Sequence, residues 1–268
     1  MTAFVLTLDQ VDEEQHPLVG GKAFSLAVMH KNSLLVPPAH CITMDAYLHY
    51  VASTGLADQI VLDLYRKRFE EMRWEEIWDT ALRIPNAFLK TPVPADLQEG
   101  LLKKFESRFS AKPVSIRSSA PGEDSSKTSF AGLQESFVNI RGPDAIMEHA
   151  RPVWASLWSD RAFLYRQEVG LDVKKSAMAV LVQEMILEER SGIIFGRSPT
   201  DSSLSVIEAV YGLNQGLVDG TIEPDRWNLD RKTSRVPSHV PVAREKAMRP
   251  GRHGLRGCLS VPSRNLLH

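Results

Sequence analysis

Val114-Ser115-Ile116-Arg117-Ser118-Ser119-Ala120-Pro121-Gly122-Glu123-Asp124-Ser125-Ser126-Lys127-Thr128-Ser129-Phe130-Ala131-Gly132-Leu133-Gln134-Glu135-Ser136-Phe137-Val138-Asn139-Ile140 is the stretch whose reading decides the fold. A short apolar strand, Val114 to Ile116, delivers an arginine. A long run of small hydroxyl and glycine residues follows, and an alternating strand through Phe137, Val138 and Ile140 closes it. Small side chains let backbone N–H groups approach phosphate oxygens, and Arg117 adds a forked, permanently charged donor. Taken alone, the pattern fits either a loop closing over an anion or a serine-rich hairpin loop with one solvated arginine.

Upstream, Val19-Gly20-Gly21-Lys22 runs straight into a helix-period apolar pattern, Phe24, Leu26, Ala27 and His30. This spacing predicts a tight turn feeding a helix with Lys22 in its first turn, where the macrodipole disfavours a cation unless an anion is also bound. It is not a Walker loop, because the earlier glycine and the Ser/Thr after the lysine are missing. Downstream, Ala177 to Leu187 reads as a buried strand that carries two polar residues, Gln183 and Glu184, near its end. Ile193 to Phe195 and Leu204 to Ala209 suggest a β-hairpin, and a glycine-punctuated segment, Tyr211 to Gly220, leads to Glu223-Pro224-Asp225-Arg226-Trp227 and a last strand.

The remaining elements read as scaffold. Phe4 to Leu8 suggests a first strand and Asp45 to Thr54 a helix. Residues 56–109 are rich in helical spacing interrupted by Pro85, Pro92 and Pro94. Trp74 and Trp78 are expected in the core, and Pro152 is expected to kink or divide the helix that begins near Gly142. Domain organisation is expected as a helix-rich part over 1–110, a phosphate-loop and base-edge part of the same domain over 111–230, and an irregular basic tail over 231–268.

At 268 residues, 43% hydrophobic and 24% charged, the composition is that of an ordinary globular protein. The apolar runs are too short to span a membrane and the N-terminus lacks a signal-peptide layout, so a cytoplasmic location is expected. Cys41 and Cys258 show neither a disulfide framework nor a thiolate zinc spacing. The net charge of −1 hides an asymmetry: residues 231–268 carry nine Lys/Arg against one acid, net +8, which leaves −9 on residues 1–230. With no aromatic residue to stack a base, that basic arm is a poor nucleic-acid ligand. The carboxylates at Glu123-Asp124, Glu75-Glu76 and Asp219, Glu223 and Asp225 fit solvated surface groups better than a metal site, with Glu208 a somewhat better metal candidate.

Gly20-Gly21-Lys22, the Arg117-Ser118-Ser119-Ala120 run through Glu123-Asp124 to Ser129-Phe130-Ala131-Gly132, Val182-Gln183-Glu184-Met185, and Gly212-Leu213 through Gly220 to Pro224-Asp225 together resemble the N-terminal nucleotide-binding domain of the phosphoenolpyruvate synthase and pyruvate phosphate dikinase family. The domain of rifampicin phosphotransferase is similar. The resemblance implies an α+β, ATP-grasp-like fold of two subdomains with mixed sheets and flanking helices, which holds ATP and Mg2+. It implies a phosphotransferase in which a phosphoryl group of ATP passes to a histidine on a separate domain and then to an acceptor. It also implies that Lys22 and Arg117 hold and polarise the phosphates, that Gly132 and Ser136 line the phosphate loop, that Gln183 faces the nucleotide, and that the main chain of Glu184 and Ile186 meets the adenine edge.

The family's Pro-Gln-Asp-Ile-Glu-Trp type motif, which coordinates magnesium, is not found, so the metal ligands are unassigned. None of the eight histidines, from His16 to His268, stands in the family's Gly-rich Ser-His setting, and the stretch from Arg249 to Cys258 does not look like the family's continuation. The expectation is a truncated or frameshifted version of a longer enzyme, or a free-standing remnant. It would bind ATP weakly and turn over only with a phosphohistidine domain and an acceptor domain supplied elsewhere. Two other readings stand beside it: a nucleotide-binding regulatory module without phosphoryl transfer, and an interaction protein whose basic tail meets acidic partners.

Overall fold

The computed structural model describes residues 3–67, 71–120, 136–162, 164, 176–187, 189–242, 246–251 and 255–260. The chain forms two compact units, Met1–Met185 and Ile186–His268.

In the first unit, β1 (Val5–Thr7) and a 3-10 turn (Leu8–Gln10) lead to α1 (His16–Lys31) and β2 (Ala39–Ile42). Four helices follow, α2 (Met44–Ser53), α3 (Leu56–Tyr65), α4 (Trp74–Lys90) and α5 (Ala95–Phe109). The chain then supplies β3 (Val114–Ser119), β4 (Ser136–Ile140), α6 (Pro143–Ser156) and β5 (Ala179–Glu184). The strand order is β1-β2-β5-β3-β4. β5 lies at the centre because its alternating side chains are apolar on both faces. Val180 and Val182 join one core cluster, with Tyr47, Tyr50, Phe88, Phe105, Phe109 and Trp154 from the helices. Ala179 and Leu181 join the other, with Val19, Ala23 and Ala27 of α1.

The first core follows helical period. In α5 the buried residues are Leu97, Leu101, Phe105 and Phe109, each four after the last, so one stripe of the helix faces the sheet. Two of its aromatic residues are anchored through their polar atoms: the Trp154 indole N–H donates to Met178 O at 3.1 Å, and the Tyr50 hydroxyl donates to Thr91 O at 2.9 Å. α1 covers the opposite face.

The second unit is a four-stranded sheet, β6 (Arg190–Phe195), β7 (Leu204–Tyr211), β8 (Asp225–Asp230) and β9 (Ser238–Val240) in that order. A short turn of helix, α7 (Gln215–Val218), links β7 to β8, and β10 (Lys246–Pro250) pairs with β11 (Leu255–Ser260). A small core of Val210, Leu217, Ile222 and Met248 packs there.

The α+β class is as expected, and four details differ. Every pairing between the named strands is antiparallel instead of mixed, and the one parallel contact among the described residues is an isolated bridge, Gly212 with Met248. β2 and β3 do run in the same direction with helices between them, but β5 is inserted between the two, so each neighbour pair is antiparallel. Trp74 and Trp78 are 61% and 55% exposed, not core. The buried stripe of α4 is Ile77, Thr80, Ala81, Ile84 and Phe88, and Trp78, one residue past Ile77, is turned about 100° away from it. α4 runs through Pro85 without interruption, and α6 runs through Pro152, so of the two outcomes expected there, a kink or a division, the division is not seen. Buried Ile84 and Phe88 neighbour Pro85 in α4, and buried Val153 and Trp154 follow Pro152 in α6, so packing offsets the cost of each proline, about 3 kcal/mol. Finally, the stretch 231–268, expected as an irregular tail, contains β9, β10 and β11. β9 is exposed throughout and is held by backbone pairing to β8, so no hydrophobic period marks it in the sequence. The boundary between units falls at Met185/Ile186 because β3 and β5 complete a sheet begun by β1 and β2.

Candidate functional site

Two sequence signals far apart in the chain meet at the end of β3. The helical run of α1 is broken at Gly20, whose φ of 73° and ψ of 174° are non-helical, so the main helix starts at Gly21 and Lys22 stands in its first turn. Gly20 is pressed against the strand: a Cβ there would lie 2.4 Å from Ser119 O. The fully buried Ser119 hydroxyl donates to Val19 O at 2.6 Å and accepts the Ala23 N–H at 3.1 Å. The Gly21 N–H donates to Ala120 O at 3.3 Å. The Gly-Gly-Lys turn is thus bonded to the backbone at the end of β3, just ahead of the serine-rich stretch in the sequence.

Cross-strand pairing places the other residues. Ser119 pairs with Ala179, Arg117 with Leu181 and Ser115 with Gln183. Directly opposed residues share a sheet face. Arg117, Ser119 and Gln183 therefore lie on the face covered by α1, and Ser136, which pairs with Arg117 on β4, joins them. Arg117 and Ser136 are exposed; Lys22 and Gln183 are half-buried. The Gln183 amide donates to Pro37 O at 3.3 Å. Glu184 falls on the opposite face and pairs with Lys112 at 2.6 Å. Gly132 lies outside the described residues, and Ile186 is the first residue of the second unit.

The end of β5 has an unusual backbone. Glu184 N–H donates to Pro38 O at 2.9 Å and Met185 N–H to Pro113 O at 2.9 Å. A hydrogen-bonded antiparallel pair normally returns a second bond, but proline has no N–H to give. The carbonyls of Glu184 and Met185 consequently lack that reciprocal bond, which leaves acceptor capacity at this strand end. Neither Pro38 nor Ser119 stands out in the sequence as a functional residue. Pro38 reads as a helix breaker, and Ser119 is one serine among several.

Other charged groups are engaged structurally. Glu208 is paired with Arg226, which argues against a free metal ligand there. Asp225 is buried and accepts the Val242 N–H at 2.9 Å. The hydroxyl and N–H of Thr221 hold the Asp219 carboxyl below its usual range. Burial pushes the Cys41 thiol far up, so it is not a reactive thiolate. Among the described residues no group of three or more His, Cys, Asp or Glu is arranged to hold a metal ion. No helix among them is long and apolar enough to cross a membrane.

A family model described as pyruvate phosphate dikinase, AMP/ATP-binding domain, matches residues 16–256. The chain is similar to the phosphoenolpyruvate synthase of Aeropyrum pernix, 34% identical over 251 residues covering 91% of this chain and 30% of that protein. It is 31% identical over 253 residues to a probable phosphoenolpyruvate synthase of Methanocaldococcus jannaschii, covering 91% of this chain and 21% of that protein. The rifampicin phosphotransferase of Streptomyces sviceus is 34% identical over 229 residues, 84% of this chain and 26% of that protein. The chain spans less than a third of the length of these relatives. The match continues beyond residue 230, so the basic stretch up to residue 256 is part of the matched domain and not a foreign continuation.

Proposed function

We propose, starting from the fact that the chain belongs to the pyruvate phosphate dikinase AMP/ATP-binding domain family, that it is the ATP-holding part of a phosphotransferase with an ATP-grasp-like mode of binding. The observation that carries this reading is the bonded corner between the Gly20-Gly21-Lys22 turn and the Arg117 strand, with Gln183 and Ser136 on the same sheet face. Lys22 and Arg117 would hold the phosphates, Gly132 and Ser136 would line the loop over them, and Gln183 would face the nucleotide. Toward adenine, Glu184 would offer its carbonyl, since its N–H is engaged by Pro38, and Ile186 would offer its main chain.

Phosphoryl transfer is mostly positioning and charge neutralisation, which suits residues that donate hydrogen bonds without reacting themselves. A phosphoryl group of ATP would pass to a ring nitrogen of a histidine on another domain, the bridging oxygen leaving with the nucleotide. That domain and an acceptor domain would act as partners, in the cytoplasm. Magnesium does not fit a ready site on the described residues, where the best single candidate, Glu208, is neutralised by Arg226; it would arrive with ATP. The same observation supports a second reading, a module that binds nucleotide without transferring phosphate.

The deciding experiment supplies a phosphohistidine domain of a relative together with labelled ATP. Label on that domain's histidine, lost in Arg117→Ala, supports transfer. ATP binding with no label at any domain concentration supports the regulatory module instead.

A further inference from the structure

We propose that Ser119 is a positioning residue that makes Lys22 and Arg117 one rigid phosphate-holding corner. The proposal rests on the ATP-binding reading and adds a role for a residue that itself contacts no phosphate. Ser119 is two residues after Arg117 on β3, so both side chains share the sheet face beneath α1. Its hydroxyl uses its one proton on Val19 O and a lone pair on Ala23 N–H, the residues flanking the Gly20 to Lys22 turn. These bonds bridge separations of 100 and 96 residues. Gly20 lets the two backbones approach, and the Gly21 N–H bond to Ala120 O closes the junction on its other side.

The chemistry accounts for a serine here. Alanine would leave the buried Ala23 N–H without this acceptor and remove the hydroxyl from Val19 O, and the turn would be free to drift from the strand. A drift of even 1 Å separates the two cations from a shared phosphate geometry and leaves the base contacts on β5 untouched. Ser119 therefore affects the phosphate end of the nucleotide selectively, which a residue serving only stability would not do.

The test compares dissociation constants of the full chain for ATP and for adenosine, which has no phosphate, by NMR titration. Ser119→Ala should weaken ATP about tenfold, the worth of roughly one charge-supporting hydrogen-bond arrangement, and change adenosine less than about twofold. In a Lys22→Met background the same change should cost ATP less than about threefold, because the cation it positions is gone. Equal losses for ATP and adenosine, or an undiminished loss in the Lys22→Met background, would overturn the positioning role. If Ser119→Ala does not fold, Ser119→Cys, which keeps a weak donor and acceptor, takes its place in the same comparison. Wild-type chain that binds ATP through Lys22 while Ser119→Ala is silent refutes this proposal alone; wild-type chain that does not bind ATP refutes the nucleotide reading as well.

Discussion

Replacing Gly20 with alanine should be among the most damaging single-methyl changes in the first unit, and the same change one residue later should be harmless. At Gly20 the backbone sits at φ 73° and ψ 174°, a region nearly closed to residues with a Cβ, so strain of about 1–3 kcal/mol is expected. The added Cβ would also stand 2.4 Å from Ser119 O and 2.5 Å from its carbonyl carbon. Both are backbone atoms, so no side-chain rotation relieves the clash, and overpacking adds about 1–3 kcal/mol. Together these give roughly 2–6 kcal/mol against a typical domain stability of about 5–15 kcal/mol. At Gly21 a Cβ meets nothing within 4 Å and the residue is helical, so alanine should stabilise by about 0.5–1 kcal/mol. In urea, with a slope near ~2 kcal/mol per molar, Gly20→Ala should lower the midpoint by roughly 1–3 M and Gly21→Ala should raise it by a few tenths. Equal effects of the two substitutions, or a neutral Gly20→Ala, would refute the close junction between the turn and β3.

Two further outcomes follow from burial. His40 lies edge-on to Phe105 and Phe109, and burial, with Arg108 and Lys104 nearby, lowers its pKa. The unfolded chain then takes up that proton first, so stability is full above the unfolded value of about 6.5 and declines as pH falls below it. His40→Leu should flatten that decline in urea midpoints taken at a series of pH values, and an unchanged slope would contradict it. Trp78→Gln should shift stability by no more than about 0.5 kcal/mol, while Trp154→Ala should cost about 3–5 kcal/mol. Thermal melts showing the two to be alike would contradict their placement on the surface and in the core.

Some elements were legible in the sequence and others were not, for physical reasons. The strand around Val180 and Val182 and the turn at Gly20-Gly21 were legible because apolar β-branched runs and paired glycines each have a strong local preference. Trp78 misled because hydrophobicity alone does not fix which side of α4 faces the core, and Trp74 because it is the first residue of α4, one turn ahead of Ile77, where the buried stripe begins. β9 was hidden because a backbone-paired, exposed strand needs no apolar period, and β10 because its two buried residues, Ala247 and Met248, are adjacent at a register shift instead of alternating. The part played by Ser119 depends on partners about a hundred residues away, and that of Pro38 on facing Glu184 across a sheet. Local pattern contains neither fact.

The most direct test of the central claim is a calorimetric titration of the chain with ATP, run in parallel on Arg117→Ala. Binding of one ATP per chain, weakened about tenfold or more by loss of the charged donor, is the predicted result. An identical titration curve for the variant, or no binding heat from the wild-type chain at millimolar ATP, would contradict the claim that this corner holds a nucleotide's phosphates.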